Sequence, residues 1–217
     1  MNAQKVNISA KELMNLDAPA WSKVTPEKVN LDPTPVDTIP SKYINETVEP
    51  NDVGKIQNIE AKALHNGKEI FIRLEWADGT QNTGLDDTKA FPDAVAMLFP
   101  LNGEASLSTM GSERQPVNAW HWRADFNGRP KNIVASGLGT VERTDKTPLA
   151  SQSGWKDGKW RVVMSRPLAV PSQAGETVQL KVGDSTKIGI AAWEGSNLER
   201  AGAKAYSTYW RNLVLEA

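Results

Sequence analysis

One methionine of the sequence stands where a soft metal could be bound. Met110 lies in a polar loop of SLSTMGSERQPVNAWHWRADF, residues 106–126, just before a segment that carries Trp120, His121 and Trp122. A thioether is a soft metal ligand, but it is also a flexible filler of apolar space. Met110 is therefore either a loop residue without a role or a ligand. Trp120 and Trp122 are either core residues or the wall of a cofactor pocket.

Lys204 is the second residue in an unusual setting. It lies between Ala203 and Ala205, and close to Trp210, in AAWEGSNLERAGAKAYSTYW, residues 191–210. Most lysines lie on solvated surfaces. Among small apolar residues, however, loss of solvation disfavours the ammonium form. A neutral amine of this kind can offer its lone pair to a metal, although a surface position is the commoner outcome for a lysine.

Other kinds of catalytic site have little support. The absence of cysteine excludes disulfides, thiolate zinc sites, iron–sulfur clusters and covalent haem attachment of the c type. The sequence contains no G-x-S-x-G, H-E-x-x-H or Walker motif. His65 precedes the turn residues Asn66 and Gly67 and is expected to be solvated, and so is the Asp86–Asp87 pair in its polar loop.

Charge and hydrophobicity restrict the partners. The net charge is −1, the isoelectric point is about 6.2, and no lysine or arginine run exceeds two residues, which argues against nucleic acid. No apolar run approaches the roughly 20 residues of a membrane helix, so no membrane insertion is expected. The first residues lack the apolar stretch of a signal peptide, which suits either a cytoplasmic protein or a mature exported chain.

Strand patterns must position these side chains. IQNIEAKALHNGKEIFIRLEWAD predicts a hairpin with its turn at Asn66–Gly67, and SGWKDGKWRVVMSRPL predicts another at Asp157–Gly158. DAVAMLFPL suits a strand that is buried on both faces. In VNAWHWRADF, Trp120 and Trp122 face one side and His121 faces the other. TKIGIAAWEG and YSTYWRNLVLE are further predicted strands.

These elements predict a mainly β protein, an antiparallel β-sandwich with a few short helices in loops such as SNLERAGAK. Six prolines between Pro19 and Pro50 leave little room for helix, so residues 1–55 are expected to be largely extended. Residues 1–217 are interpreted as one domain.

Four stretches, in the order DAVAMLFPL, MGSERQPVNAWHWRADF, AAWEGS and ERAGAKAYSTYW, carry a resemblance to a known family. From about residue 36 to its C-terminus, the chain resembles the haem-binding gamma subunits of the type II dimethylsulfoxide-reductase family. These include subunits of ethylbenzene dehydrogenase, dimethylsulfide dehydrogenase, selenate reductase and chlorate reductase, and the pattern looks nearest to chlorate reductase. The Met-Gly, Pro-Val-Asn and Trp-x-Trp block is the most specific part.

The resemblance implies a β-sandwich that holds one non-covalent haem b, with a methionine and a lysine as axial ligands of the iron. Matched residue by residue, Met110 corresponds to the methionine and Lys204, in AGAKAYS, to the lysine; Trp120 and Trp122 are expected to line the cofactor. It also implies a periplasmic, non-catalytic electron-transfer subunit. Its partners would be a soluble c-type cytochrome, an iron–sulfur subunit and the molybdenum-containing catalytic subunit of an enzyme such as chlorate reductase.

Several alternatives remain at this point. His121 could replace Lys204 or Met110 as a ligand, and Met97 could replace Met110, although Met97 lies within a strand where core packing explains it better. A carbohydrate-binding β-sandwich with exposed tryptophans (Trp120, Trp122 or Trp193) is a different function, and a structural subunit without ligand is a third.

Overall fold

The computed structural model describes residues 1–85, 90–144, 147–173 and 175–217 of the chain. Within them the protein is mainly β, with short helices in the connections, which confirms the predicted fold class. None of the described helices is long and apolar enough to cross a lipid bilayer. The Asp86–Asp87 pair lies outside the described residues.

The helices of the described chain are short, and all three α-helices precede the first long strand. They are α1 (Ala10–Leu13), α2 (Pro19–Ser22) and α3 (Lys42–Thr47), with 3₁₀ turns at Val36–Thr38, Pro50–Asp52, Pro171–Gln173 and Gly195–Asn197. The strands are β1 (Asn2–Lys5), β2 (Glu27–Asn30), β3 (Asp32–Pro33), β4 (Asn58–His65), β5 (Glu69–Ala77), β6 (Ala94–Pro100), β7 (Val117–Arg123), β8 (Lys131–Ala135), β9 (Glu142–Thr144), β10 (Ala150–Lys156), β11 (Lys159–Pro167), β12 (Ser185–Trp193), β13 (Ala205–Tyr206) and β14 (Arg211–Leu215).

Two sheets pack face to face around one main core. The strand order of the first sheet is β10-β11-β5-β4-β1-β14, and that of the second is β12-β6-β7-β8-β9. Strand β12 joins them, because its first half pairs with β14 and its second half with β6. Most pairs are antiparallel, as predicted, but β1 runs parallel to both of its neighbours, β4 and β14. The first sheet is therefore mixed.

Residues 1–55 contain short helices as well as the extended strands β1, β2 and β3. The side chains of Ser9 and Ser41 cap α1 and α3 by accepting a backbone N–H. Pro19 lies in the first turn of α2, where its missing N–H would have no partner within the helix. The prolines of this segment thus do not prevent helix formation, and the three helices have four to six residues each.

Both predicted hairpins form. In the β10–β11 turn, Asp157 and Gly158 have φ values of 53° and 69°, the pair of positive angles that matches the twist of the flanking strands. In the β4–β5 connection, the Asn66 Oδ1 accepts the N–H groups of Lys68 and Glu69. Each turn sets the register of the strands that follow it.

The main core takes alternate residues from facing strands. Tryptophans dominate it: the rings of Trp122 and Trp160 meet edge to face at 5.0 Å, and Trp76 packs against both. Because successive residues of a strand point to opposite faces, the neighbours of Trp122 on β7 point outward from the second sheet. The central core residues of β5, β6 and β7 are Ile70, Ile72, Leu74, Trp76, Val95, Met97, Phe99, Trp120 and Trp122.

His65 differs from expectation. It lies at the end of β4 and is fully buried, so the prediction of a solvated turn residue is wrong. Its Nε2–H donates to the Glu216 carbonyl at 2.8 Å, and its Nδ1 accepts the Gly67 N–H. The parallel pairing of β1 with β14 brings the end of the chain over this side chain, and nothing near His65 in the sequence indicates that cover.

Candidate functional site

The second sheet carries a smaller apolar cluster on the face that points away from the main core. We call it the outer patch. Its members are mostly alanine or β-branched, so they form a low surface on which larger groups can rest. Met110, Trp193 and Trp210 are half-buried and pack against it. The outer patch consists of Ala96, Leu98, Leu107, Val117, Ala119, Ile133 and Ala135.

Met110 reaches the outer patch from a tightly turned loop. Its φ of 56° lies in the left-handed region, which is uncommon for a residue with a side chain. Gly111 follows with a φ of 80°, and a Cβ at that position would lie 2.5 Å from the Gln115 carbonyl oxygen. The Met110 carbonyl accepts the Gly137 N–H, while its own N–H donates to Leu107. The backbone is thus fixed on both sides of a strained residue, a feature concentrated at functional sites.

Lys204 occupies the setting that its alanine neighbours indicate. Ala203 and Ala205 are fully buried, and the Lys204 carbonyl accepts both the N–H and the hydroxyl of Thr34. The Lys204 Nζ lies 5.8 Å from the ring centroid of Trp193. Burial lowers the pKa of Lys204 from 10.5 to about 8. Within the described ranges no carboxylate pairs with this amine, so loss of solvation acts without compensation.

His121 is a third possible donor, and it points to the same side of the second sheet as the outer patch. Its ring lies 5.4 Å from that of Trp193 and 5.5 Å from that of Phe126. Burial, followed by the charges of Arg123 and Arg143, lowers its pKa to about 4, so the imidazole is neutral at pH 7. Its Nδ1 is buried and has no hydrogen-bond partner in the part of the chain that the structure describes.

Trp193 links these donors. It contacts the outer patch on which Met110 also rests, and both His121 and the Lys204 amine lie within 6 Å of its ring. Its Nε1–H donates to the Ala201 carbonyl, and the Nε1–H of Trp210 donates to the Ala105 carbonyl. With their polar atoms bonded to the backbone, both indoles present flat apolar surfaces beside the outer patch.

Trp120 and Trp122 are not brought to this place. They are 0% and 1% exposed, and they belong to the main core on the opposite face of β7, as does Met97 on β6. The strand alternation of VNAWHWRADF already separates them from His121. The tryptophans that do pack against the outer patch are Trp193 and Trp210. The only feature of the sequence that could have singled out Trp193 and Trp210 is that they stand on either side of Lys204.

Comparison with solved structures finds proteins with a similar overall fold. A putative carbohydrate-binding protein from Bacteroides uniformis superposes with a TM-score of 0.56 at 11% identity, covering 100% of this chain and 98% of the other. A carbohydrate binding module of family 9 from Caldicellulosiruptor kristjanssonii, in complex with glucose, gives a TM-score of 0.51 at 8% identity, covering 100% and 95%. At such identities the likeness concerns the fold alone.

Three curated proteins are more similar to this chain in sequence than the two solved structures are. The gamma subunit of chlorate reductase from Ideonella dechloratans is 42% identical over 158 residues, which are 72% of this chain and 64% of that one. A protein from Haloferax mediterranei, "Putative respiratory nitrate reductase heme subunit ORF7", is 33% identical, covering 71% and 55%. The gamma subunit of dimethylsulfide dehydrogenase from Rhodovulum sulfidophilum is 29% identical, covering 71% and 59%.

The matched region thus spans about three fifths of the length of these curated relatives. The sequence model of the family described as ethylbenzene dehydrogenase matches residues 18–150 and 141–205, which is most of the chain. Both findings agree with the resemblance seen in the sequence. The chain belongs to the ethylbenzene dehydrogenase family.

Proposed function

We propose that this chain is the electron-transfer subunit of a molybdenum oxidoreductase, with one non-covalent haem b bound at the outer patch by Met110 and Lys204. Two observations carry the proposal: the Met110 thioether rests on the outer patch from a strained loop, and the Lys204 amine, whose burial lowers its pKa to about 8, lies 5.8 Å from the ring of Trp193, which packs against the same patch. The name of one relative, a heme subunit, gives independent support.

The residues at the outer patch fit such a group. Ala96, Ala119 and Ala135 leave room on the sheet for a flat ring, and Trp193 and Trp210 border it with apolar surface. A chain without cysteine cannot hold haem through the thioether links of c-type cytochromes, which favours a non-covalent haem b. Met110 and Lys204 offer two neutral ligands of different softness, which together would fill both axial positions and leave none for a substrate.

Bound haem supplies reversible one-electron chemistry. The Met110 thioether would favour the reduced state and so raise the reduction potential. The Lys204 amine can bind iron only after it loses its proton, and the buried setting of that amine makes the loss easier. Trp193 and Trp210 would exclude water from the two ligands. The chain's own task would thus be to hold a high-potential electron relay without catalysing oxygen transfer.

The partners follow from the same proposal. Two relatives are named gamma subunits of a reductase and of a dehydrogenase. We assign to this chain a molybdenum-containing catalytic subunit and an iron–sulfur subunit as partners, a soluble c-type cytochrome as carrier, and a periplasmic location. The 42% identity to the gamma subunit favours chlorate reductase as the parent enzyme.

The carbohydrate-binding alternative finds no support in the residues suggested for it. Trp120 and Trp122 are enclosed in the main core and cannot stack on a sugar. Trp193 is half-buried, and the His121 ring and the Lys204 amine lie within 6 Å of its ring centroid, so the nitrogen donors beside it favour a metal-bearing ligand over a sugar.

Reconstitution with haemin tests the proposal. The wild-type protein is expected to bind one haem per chain and to show a low-spin spectrum in both oxidation states. Met110→Ala and Lys204→Ala should each lose this spectrum, whereas Met97→Ala, a buried methionine on the other face of the sheet, should keep it. Retention of the low-spin spectrum in both ligand variants would contradict the assignment.

A further inference from the structure

Three carboxylates meet at the edge of the sandwich, outside the outer patch. Asp78 follows β5, Asp93 precedes β6 and Glu194 follows β12, and each contributes one oxygen to a group within 4.8 Å. Asp78 and Asp93 are 4% and 0% exposed. Across the described segments no lysine or arginine pairs with any of the three. Buried like charges without a counter-charge are unfavourable, so the group requires an explanation.

A buried oxygen in this group has no partner. The Asp78 Oδ2 is shielded from solvent and accepts no hydrogen bond of normal geometry from the residues that the structure describes, although the Trp76 indole N–H, also without a partner there, is near enough to offset part of the rise in the pKa of Asp78 that burial causes. An unsatisfied acceptor on a buried acidic side chain is rarer than an acidic cluster, and a nearby positive charge would satisfy it. Burial, followed by the Asp93 carboxylate, raises the pKa of Asp78 to about 7. That direction is the one expected for a carboxylate that has acidic neighbours and no cation.

Further oxygens surround the same place. The Thr80 hydroxyl lies between 3.0 and 3.4 Å from side-chain oxygens of Asp78, Asn82, Glu194 and Ser196. The Thr80 hydroxyl has one proton, so it can donate to only one of the Asp78, Asn82 and Glu194 oxygens at a time, while the Ser196 hydroxyl donates to Glu194 Oε1 at 2.6 Å. In the sequence DGTQN, Asp78, Thr80 and Asn82 stand at every second position. A short loop thus directs several oxygen donors to one point.

We propose that Asp78, Asp93 and Glu194 form a binding site for a divalent cation of the calcium type. The donors are carboxylate, hydroxyl and amide oxygens, which suit a hard cation, and the group lacks the imidazole and thiolate donors that select zinc or copper. Ca²⁺ accepts six to eight oxygens in flexible geometry, whereas Mg²⁺ demands a near-ideal octahedron. Asp93 already accepts N–H groups from Asn82, Gly195 and Trp160, so it is held in place and contributes chiefly charge.

The site would connect three segments of the fold. Glu194 directly follows Trp193, and a Cβ on Gly195 would lie 1.7 Å from the Phe91 carbonyl oxygen, so the end of β12 is pressed against the segment before Asp93. The Glu199 carboxylate accepts the Glu194 N–H and closes the loop that leads to Lys204. A bound cation would therefore fix the segment between Trp193 and Lys204. Its binding can be measured without haem, so it stands or falls apart from the haem proposal.

Titration of the full-length, chelator-treated protein with CaCl₂ and MgCl₂ tests the inference by calorimetry. Terbium luminescence gives a second readout, because the Trp160 indole lies 2.9 Å from Asp93 Oδ2 and can sensitise a lanthanide bound there. One Ca²⁺ per chain, bound at least tenfold more tightly than Mg²⁺, is expected. Asp78→Asn should weaken binding at least tenfold. The control Asp125→Asn removes a carboxylate that is paired with Arg123 and should bind as wild type does.

Glu194→Gln provides the second test if Asp78→Asn does not fold, because Glu194 is only half-buried. It too should weaken Ca²⁺ binding and reduce the terbium signal. Absence of Ca²⁺ binding by the wild-type protein at millimolar concentration would overturn the site. So would wild-type affinity in both variants. In either case the carboxylates would share protons and bind no cation.

Discussion

The change with the sharpest consequence is the removal of the Lys204 amine. Burial lowers the pKa of Lys204 from 10.5 to about 8. At pH 7 about one amine in ten is then neutral, compared with about one in three thousand for an unperturbed lysine. Deprotonation at pH 7 therefore costs about 1 kcal/mol instead of about 5 kcal/mol. The fold itself makes this lysine an available ligand.

The same shift predicts how the stability of the haem-free protein depends on pH. Because the folded-state pKa of Lys204 is lower than the unfolded-state value, the unfolded chain binds more protons between pH 8 and pH 10.5. The free energy of unfolding should therefore rise with pH through that window, by at most about 3 kcal/mol. Urea unfolding of Lys204→Met should lack this rise, whereas Lys11→Met, in α1, should keep it.

In the haem-bound protein, acid competes with iron for the same lone pair. Acidification should convert ferric low-spin haem to a high-spin or water-ligated form in a one-proton step, well below pH 10.4. Lys204→Ala should show the acid form already at pH 7. A low-spin spectrum in Lys204→Ala, together with loss of the ligand in His121→Ala, would refute the assignment and identify His121 as the donor.

Three further predictions concern the loop and the cofactor. Met110→Ala should lower the reduction potential or open a coordination position, which a redox titration measures. Met97→Ala, in the main core, should keep the haem spectrum and lose about 2–5 kcal/mol of stability, which urea unfolding measures. Haem should leave the protein in acidified organic solvent, and haem that stays bound would contradict non-covalent attachment. Gly111→Ala should impair haem uptake, because the new Cβ would lie 2.5 Å from the Gln115 carbonyl oxygen. The control Gly67→Ala is also at positive φ but in open space, so it should lose only about 1 kcal/mol of stability and keep haem uptake.

Local pattern is enough to predict much of the second sheet. The alternation in VNAWHWRADF places Trp120 and Trp122 on one face of β7 and His121 on the other, and the structure agrees. The alternation depends on neighbours in the sequence, so no knowledge of the tertiary structure is needed to predict it. The alanines on either side of Lys204 raise the possibility of a desolvated amine, but a surface position is the commoner outcome for a lysine, and only the structure, with the lowered pKa, favours the desolvated one.

Contacts between distant segments could not be predicted in this way. The parallel insertion of β1 between β4 and β14 determines the burial of His65, and no residue near His65 indicates it. Trp193 and Trp210 border the outer patch only because β12 pairs with β6 and the Trp210 indole bonds to Ala105. The carboxylates of Asp78, Asp93 and Glu194 come from three separate segments, so their convergence is a product of the sheet order.

The visible spectrum of the purified protein, measured with a pyridine haemochrome assay of its haem content, tests directly whether the chain is a haem b subunit. We expect one haem b per chain, six-coordinate and low-spin in the ferric and the ferrous state. That spectrum should disappear in Met110→Ala and in Lys204→Ala. Protein that neither contains haem when purified with its native partners nor takes up added haemin would contradict the account.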